Sequence, residues 1–237
     1  TVTSAIECGV SAMNAPVAWA NGYTGAGVVV ADIDTGNCIN HPDMINQIWT
    51  NPGEIAGNGI DDDGNGFIDD VHGWDFGEFD NDPDDVYGHG TAVAGTLGAV
   101  GNNGIGVAGV NWNVGIVPMK IADEFGRLTD AAIVGAHDYL TMMISEFGHN
   151  IVASNNSYGA FLPTFYEEEF PEGFEAEKIA IENFLETGAA FVASAGNDAN
   201  DNDEDFTNFP ASYEIPGIIT VAARDNTSPL AGLLRSG

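Results

Sequence analysis

Two patterns of apolar and polar positions alternate along the chain. Short, nearly continuous apolar runs rich in β-branched residues read as buried strands at 28–33, 114–121, 151–155, 189–194 and 218–223. Between them lie stretches of helical character. Residues 91–100 are small throughout, and 175–187 are amphipathic. Residues 129–147 repeat apolar positions at Ala132, Ile133, Ala136, Tyr139, Leu140 and Met143, the spacing of one helix face. Residues 1–24 form a lead-in with one short helix near 14–20, opened by Pro16 and stopped by Gly22. Residues 51–85 are acidic and loop-like. Strand alternating with helix predicts an α/β unit with a parallel sheet covered on both faces. Neither an internal repeat nor a domain linker interrupts it.

Composition narrows the function classes. At 237 residues and 44% hydrophobic, the chain can bury a sizeable core. No apolar run reaches the length of a membrane span. No signal-peptide pattern opens the sequence, so Thr1 is expected to be a processed start. Five Lys+Arg against 36 Asp+Glu give a formal net charge of −31. That is the reverse of a nucleic-acid footprint and favours solubility and cation binding. Cys8 and Cys38 match no metal motif and permit at most one internal disulfide.

The candidate chemistry sits at the ends of these elements. In Tyr87-Gly88-His89-Gly90-Thr91, glycines flank a histidine at the start of the small-residue helix. Asp34-Thr35-Gly36 follows the first strand, and Ser194-Ala195-Gly196-Asn197 ends a later one. A parallel sheet brings such ends to one edge, where open α/β sheets place their sites. A carboxylate that orients an imidazole, with the imidazole as general base, is two-thirds of a nucleophilic triad. A side-chain amide such as that of Asn197 can donate to a developing oxyanion.

These residues also carry a family resemblance. From Gly9 to about Ala231 the chain resembles the subtilisin-like serine proteases, the subtilases. The matching segments, in order, are Gly22-Tyr23-Thr24-Gly25, the run from Val28 to Asp34, His41-Pro42-Asp43 and His89 to Thr96. They continue with Asn155-Asn156-Ser157-Tyr158-Gly159, Ser194 to Asn197, Pro210-Ala211-Ser212-Tyr213 and Thr220-Val221-Ala222-Ala223. The resemblance implies a subtilisin-like three-layer fold, a mostly parallel central sheet flanked by helices, with its C-terminal part absent. It implies that Asp34 orients His89, that His89 is the general base and that Asn197 is the oxyanion amide. Ser157 and Gly159 resemble the edge that pairs with substrate backbone, and Gly126 lies on the facing strand. Substrate would bind as an added β-strand. Ala92 stands where the family commonly has a histidine.

Two departures matter. The family nucleophile lies in a Gly-Thr-Ser-Met-Ala-type segment beyond the Thr220 strand, and this chain stops at Gly237 without it. Neither Ser194 nor Ser236 stands in such a context. The serine is therefore expected from chain beyond Gly237 or from a separate C-terminal fragment. Asp32 stands where the family has an apolar residue, two positions before Asp34 and on the same side of a strand. A second carboxylate there can disturb the first; the plainer reading, which we favour, is a buried Asp satisfied by backbone donors.

Calcium is the expected cofactor. Asp61-Asp62-Asp63-Gly64-Asn65-Gly66-Phe67-Ile68-Asp69 sets ligands at positions one, three, five, seven and nine: Asp61, Asp63, Asn65, Phe67 and Asp69. Position twelve is His72 rather than Glu, so the loop is not a complete EF-hand. By resemblance alone, Asp43 and Asn103 with carbonyls of Ile105 and Val107 form a second site, with Ser4 a weak ligand. Asp198, Asp201, Asp203, Glu204 and Asp205 form a further acidic cluster, read as a solvated loop. Gly104-Ile105-Gly106-Val107-Ala108-Gly109 fits G-x-G-x-x-G but lacks the strand before and the helix after that a dinucleotide site needs. Residues 160–175 read as an aromatic and acidic insertion relative to shorter family members: either it rims the binding cleft and favours basic or aromatic substrate side chains or, the reading we favour, it is a surface loop whose aromatics pack down locally. His41, His72, His137 and His149 read as structural or exposed.

The expected function is a calcium-dependent, secreted serine endopeptidase acting on protein or peptide substrates. The alternative is a non-catalytic calcium-binding module of the same fold.

Overall fold

The computed structural model describes residues 4–6, 8–169, 171–199, 201–202 and 206–223. In chain order the elements begin with β1 (Ala5–Ile6), α1 (Cys8–Ala12), α2 (Ala15–Ala20), β2 (Val29–Asp34), β3 (Trp74–Asp75) and α3 (His89–Gly98). Next come β4 (Val107–Ala108), β5 (Gly115–Lys120), α4 (Asp130–Ser145), β6 (Ile151–Asn156) and β7 (Ala160–Pro163). The last are α5 (Phe165–Glu169), α6 (Pro171–Glu186), β8 (Ala190–Ser194), β9 (Phe206–Phe209) and β10 (Ile218–Val221).

The central sheet has six strands in the order β10-β8-β6-β2-β5-β3, and every pairing in it is parallel. This is the α/β architecture with a parallel sheet that the alternating pattern predicted. The period of two along β2 sorts its side chains between two cores. Val29, Ala31 and Ile33 join the cluster of Tyr139, Leu140 and Met143 from α4 and Ile181 and Phe184 from α6. Val28 and Val30 join Ala94 and Leu97 from α3. Val117 and Met119 of β5 face the first cluster and Ile116 the second. Asp32 and Asp34 have the parity of Val30, so the strand presents both carboxylates on the α3 side.

α4 starts at an N-cap, Thr129, whose hydroxyl accepts from the Ala132 N–H. Residues 160–175 are not an open loop: they contain β7, which pairs antiparallel with β9, then α5 and the first turn of α6. Phe174 packs edge-on against Phe209 at 4.9 Å, so this segment is tied into the main core. Cys8 and Cys38 are free thiols. Gly104 to Gly109 run into β4 rather than a helix, which removes the dinucleotide alternative.

Candidate active site

β2 ends at Asp34, and α3 begins at His89. Asp34 is 3% exposed, and its Oδ1 lies 2.6 Å from His89 Nδ1. The same oxygen accepts the Thr35 N–H at 2.7 Å. The His89 side chain is 57% exposed, so one edge of the ring is held and the rest faces outward. Burial pushes the Asp34 carboxyl up, against the bonds from His89 and Thr35. Gly90 makes this approach feasible: a Cβ there would meet the Gly36 carbonyl oxygen at 2.2 Å.

Asp85 anchors the start of α3. Its Oδ1 accepts the N–H groups of Tyr87 and Gly88, each at 2.8 Å, and the Thr35 hydroxyl at 3.1 Å. Its Oδ2 accepts the N–H and hydroxyl of Thr91. The Thr35 hydroxyl oxygen in turn accepts the Gly90 N–H. Burial would raise this carboxyl, but the Thr91 hydroxyl and the backbone donors outweigh it and hold Asp85 below the ordinary carboxylate range. Sequence reasoning missed Asp85; its place four residues before His89, at the mouth of a helix, was the available signal.

Asp32 is fully buried, and its donors are not backbone groups as expected. Asn37 donates to Oδ2 at 2.8 Å and Asn155 to Oδ1 at 2.9 Å, both through side-chain amides. Burial pushes its carboxyl up to about 7, with the nearby Asp34 adding to the rise.

Strand order brings the other candidates to the same edge. β8, β6 and β2 are adjacent and parallel, so the segments after Asp34, Asn156 and Ser194 leave the sheet side by side. Ser157 accepts from the Asn155 amide at 3.0 Å. Gly159 follows at the start of the β7 excursion, and Asn197 is exposed in the turn after β8. Gly126 has φ 74° and sits against Tyr87, whose hydroxyl donates to the Phe125 carbonyl. Of the remaining histidines, His137 is wholly buried: its Nδ1 lies 2.9 Å from the Ile133 carbonyl oxygen, and burial pushes its pKa down to about 4.

The acidic loop is tightly wound. Asp61 accepts the N–H groups of Gly64, Asn65 and Gly66; Asp63 accepts Asn65; Asn65 accepts Phe67. Asp69 accepts the N–H groups of Asn58 and Gly59. The carboxylates that converge are Asp63 with Glu54 and Asp70, their oxygens within 4.8 Å of one another. The spacing named neither Glu54 nor Asp70. Glu54 joins from outside the motif through the N–H groups of Asp62, Asp63 and Asp69. Asp70 is fully buried beneath Tyr139, Asn51 and Asn65. Three carboxylates so close with no positive side chain among them fit a hard cation with oxygen ligands, of which calcium is one.

At the second expected site, Asp43, Asn103 and Ser4 do come together. Asn103 donates to Asp43 Oδ1 at 2.6 Å and accepts from Ser4 at 2.8 Å. Val107 presents its N–H to Asp43 Oδ2, at 2.8 Å, and the Ile105 N–H bonds Asn103. This group satisfies itself with hydrogen bonds. Of the 198–205 cluster, Asp203, Glu204 and Asp205 lie outside the described residues, as does Ser236.

Residues 25–233 match the model of the subtilase family. The chain is similar to subtilisin-like protease 1 of Plasmodium vivax, 39% identical over 172 residues, which is 71% of this chain and 24% of that protein. It is 45% identical over 168 residues to subtilisin-like protease 1 of Plasmodium falciparum (isolate 3D7), 70% of this chain and 22% of the relative. Against subtilisin DY of Bacillus licheniformis it is 29% identical over 232 residues, 98% of this chain and 69% of the relative. The chain thus spans about a quarter of the length of the Plasmodium relatives.

Proposed function

The chain belongs to the subtilase family, and from that premise we propose that the protein is a calcium-dependent serine endopeptidase whose nucleophile lies beyond Gly237. The observation that carries this is the pair of Asp34 and His89: a buried carboxylate 2.6 Å from Nδ1 of an imidazole with an exposed face. His89 Nε2 takes the proton of the serine hydroxyl as its oxygen attacks the peptide carbonyl. Asp34 keeps the proton on Nδ1 and stabilises the imidazolium. Asn197 donates to the oxyanion of the tetrahedral intermediate. His89 then passes its proton to the leaving amine, and water repeats the sequence on the acyl-enzyme. Ser157, Gly159 and, across the cleft, Gly126 hold the substrate backbone as an added strand.

Calcium in this reading is structural. Glu54, Asp63 and Asp70, with Asp61, Asn65, Asp69 and the Phe67 carbonyl in the same loop, would hold it. The ion would offset their mutual repulsion and fix the 51–75 segment. Asp43 and Asn103, with the carbonyls of Ile105 and Val107, are the weaker candidate, because Asp43 is the one carboxylate among them. The reading carries an extracellular location; among the described residues no helix is long and apolar enough to cross a membrane.

The test is labelling of the full-length protein with a serine-directed fluorophosphonate, followed by peptide mapping. Labelling of a serine beyond Gly237, abolished by His89→Ala together with peptide hydrolysis, is the expected result. Absence of both labelling and hydrolysis in the wild type would sink the peptidase reading and leave a non-catalytic cation-binding module.

A further inference from the structure

Directly after Ser157 the chain borders a cavity of about 240 Å³. Tyr158 lines it from the end of β6, Asp130 and Ile133 from α4, Phe174 and Glu177 from α6, and Tyr213 from the turn after β9. Small-molecule pockets run to about 300–1,000 Å³; this one has the scale of a single side chain. Most of its wall is apolar, but one end is not. Glu177 is 9% exposed and pairs with no cation among the described residues. The described cations Lys120, Arg127 and Lys178 pair with Asp75, Asp123 and Glu167. The Tyr213 hydroxyl donates to Glu177 Oε2 at 2.6 Å, and among the described residues this is the carboxylate's sole hydrogen bond. Tyr158 is 8% exposed, and its buried hydroxyl has no partner among the described residues. The Tyr158 hydroxyl is thus left without a partner at the wall of this hollow, the Glu177 carboxylate meets one neutral donor and no cation among the described residues, and Asp130 adds a second acidic side chain.

We propose that this cavity is a subsite for a lysine or arginine side chain of an extended peptide, and that Glu177 selects the positive charge. The proposal rests on the peptidase reading for the nature of the ligand and deepens it. Ser157 belongs to the strand edge proposed to hold substrate backbone, so a side chain of that substrate reaches the cavity by passing Tyr158 and Gly159. The aliphatic stem would lie on Ile133 and Phe174, as long cationic side chains do on apolar walls. The head would meet the Glu177 carboxylate and the Tyr158 hydroxyl oxygen, which is free to accept. A neutral side chain leaves that carboxylate unpaired in a low-dielectric site, which is costly. Lys178 does not fill this role: its Nζ lies 5.3 Å from the Tyr213 ring centroid and is tied to Glu167 on α5.

The charge is conditional. Burial pushes the Glu177 carboxyl up to about 7, the Tyr213 bond opposing and Asp130 adding to the rise. Asp130 from α4, Lys178 with Glu167, and the two tyrosines are the titratable groups around it. Selection for a cation is therefore strong above neutrality and fades in acid, as the carboxyl gains its proton.

The experiment uses the full-length protein and peptides that differ at one residue, lysine, arginine, norleucine or glutamate, placed in turn at each position before the scissile bond. At one position lysine or arginine is expected to exceed norleucine by about tenfold or more in kcat/KM near pH 8, the scale of one buried charge pair. The ratio is expected to fall towards one near pH 5.5, and Glu177→Gln to bring it close to one at both pH values. A general folding defect would lower both peptides together and leave the ratio. Norleucine equal to lysine at every position, or a preference that survives Glu177→Gln, overturns the proposal. Should that variant fail to fold, the wild-type ratio and its pH dependence decide alone, and a ratio flat with pH overturns it. Anisotropy of fluorescent lysine and norleucine peptides on His89→Ala protein separates the two readings. Charge-selective binding with no hydrolysis by wild type sinks the peptidase reading and keeps the subsite. Hydrolysis without charge selection sinks the subsite alone.

Discussion

The Asp34–His89 bond and the two amides on Asp32 set what each carboxylate can do. Asp34→Asn would present an amide to Nδ1 and favour the wrong imidazole tautomer. Turnover of a good peptide substrate is expected to fall about 10⁴-fold with little change in unfolding free energy. Removing one oxyanion donor costs about 10²–10³ in kcat in a subtilisin, and Asn197→Ala is expected in that range, read from kcat with KM nearly unchanged. Asp32 makes a different prediction. Burial, with Asp34 beside it, pushes its carboxyl up to about 7 in the folded state, from the ordinary carboxylate value of about 4. The folded state therefore holds a proton that the unfolded chain releases between about pH 4 and 7, and stability falls as pH rises through that window. Asp32→Asn removes this loss, so its melting temperature relative to wild type is expected to be higher at pH 8 than at pH 5; a difference independent of pH would refute the assignment. Asp34 and His89 were legible as residues because glycine and a strand end surround them. Asp85 and the amides of Asn37 and Asn155 were not, because a carboxylate in an acidic loop looks the same whether it binds water or a helix start.

Among the elements, α3 is held by one acidic residue and one glycine. Asp85→Ala releases five hydrogen-bond donors at the His89 end of the helix. It is expected to lower kcat and stability together, whereas Asp34→Asn affects kcat alone. β3 joins the sheet edge through Lys120 and Asp75, paired at 2.6 Å with side chains 7% and 1% exposed. Lys120→Met leaves Asp75 buried and unpaired, an expected loss of about 3–5 kcal/mol in urea unfolding, with part restored in the double variant with Asp75→Asn. The long strands and helices were legible because their apolar period matches one structure only. β1, β3 and β4 have two residues each and were not, since so short a pairing has no period of its own. The 160–175 segment misled for a related reason: Phe174 and the β7 residues look like an exposed insertion until β9, far along the chain, arrives to pair with them.

At the scale of the molecule, −31 charges repel one another, and the Glu54–Asp63–Asp70 cluster concentrates that repulsion. Calcium at about a hundred times its Kd should stabilise the fold by about 2.7 kcal/mol. For a chain of this size that raises Tm by roughly 5–10 °C over chelated protein. Glu54→Gln or Asp70→Asn should abolish the calcium-specific rise but keep the smaller gain from monovalent salt, which screens the whole surface. An equal rise in all variants would remove the cluster from the proposal. The sequence by itself determined the α/β class and the parallel sheet and singled out Asp34 and His89 as candidates, because hydrophobic period and local glycine chemistry act within a few residues. Tertiary structure alone decided that Asp63 meets Glu54 and Asp70, that Asp85 anchors α3, and that Glu177 and Tyr158 face one cavity. Those groups lie far apart in the chain or on different elements, and only packing determines which of many similar carboxylates ends up buried beside which partner.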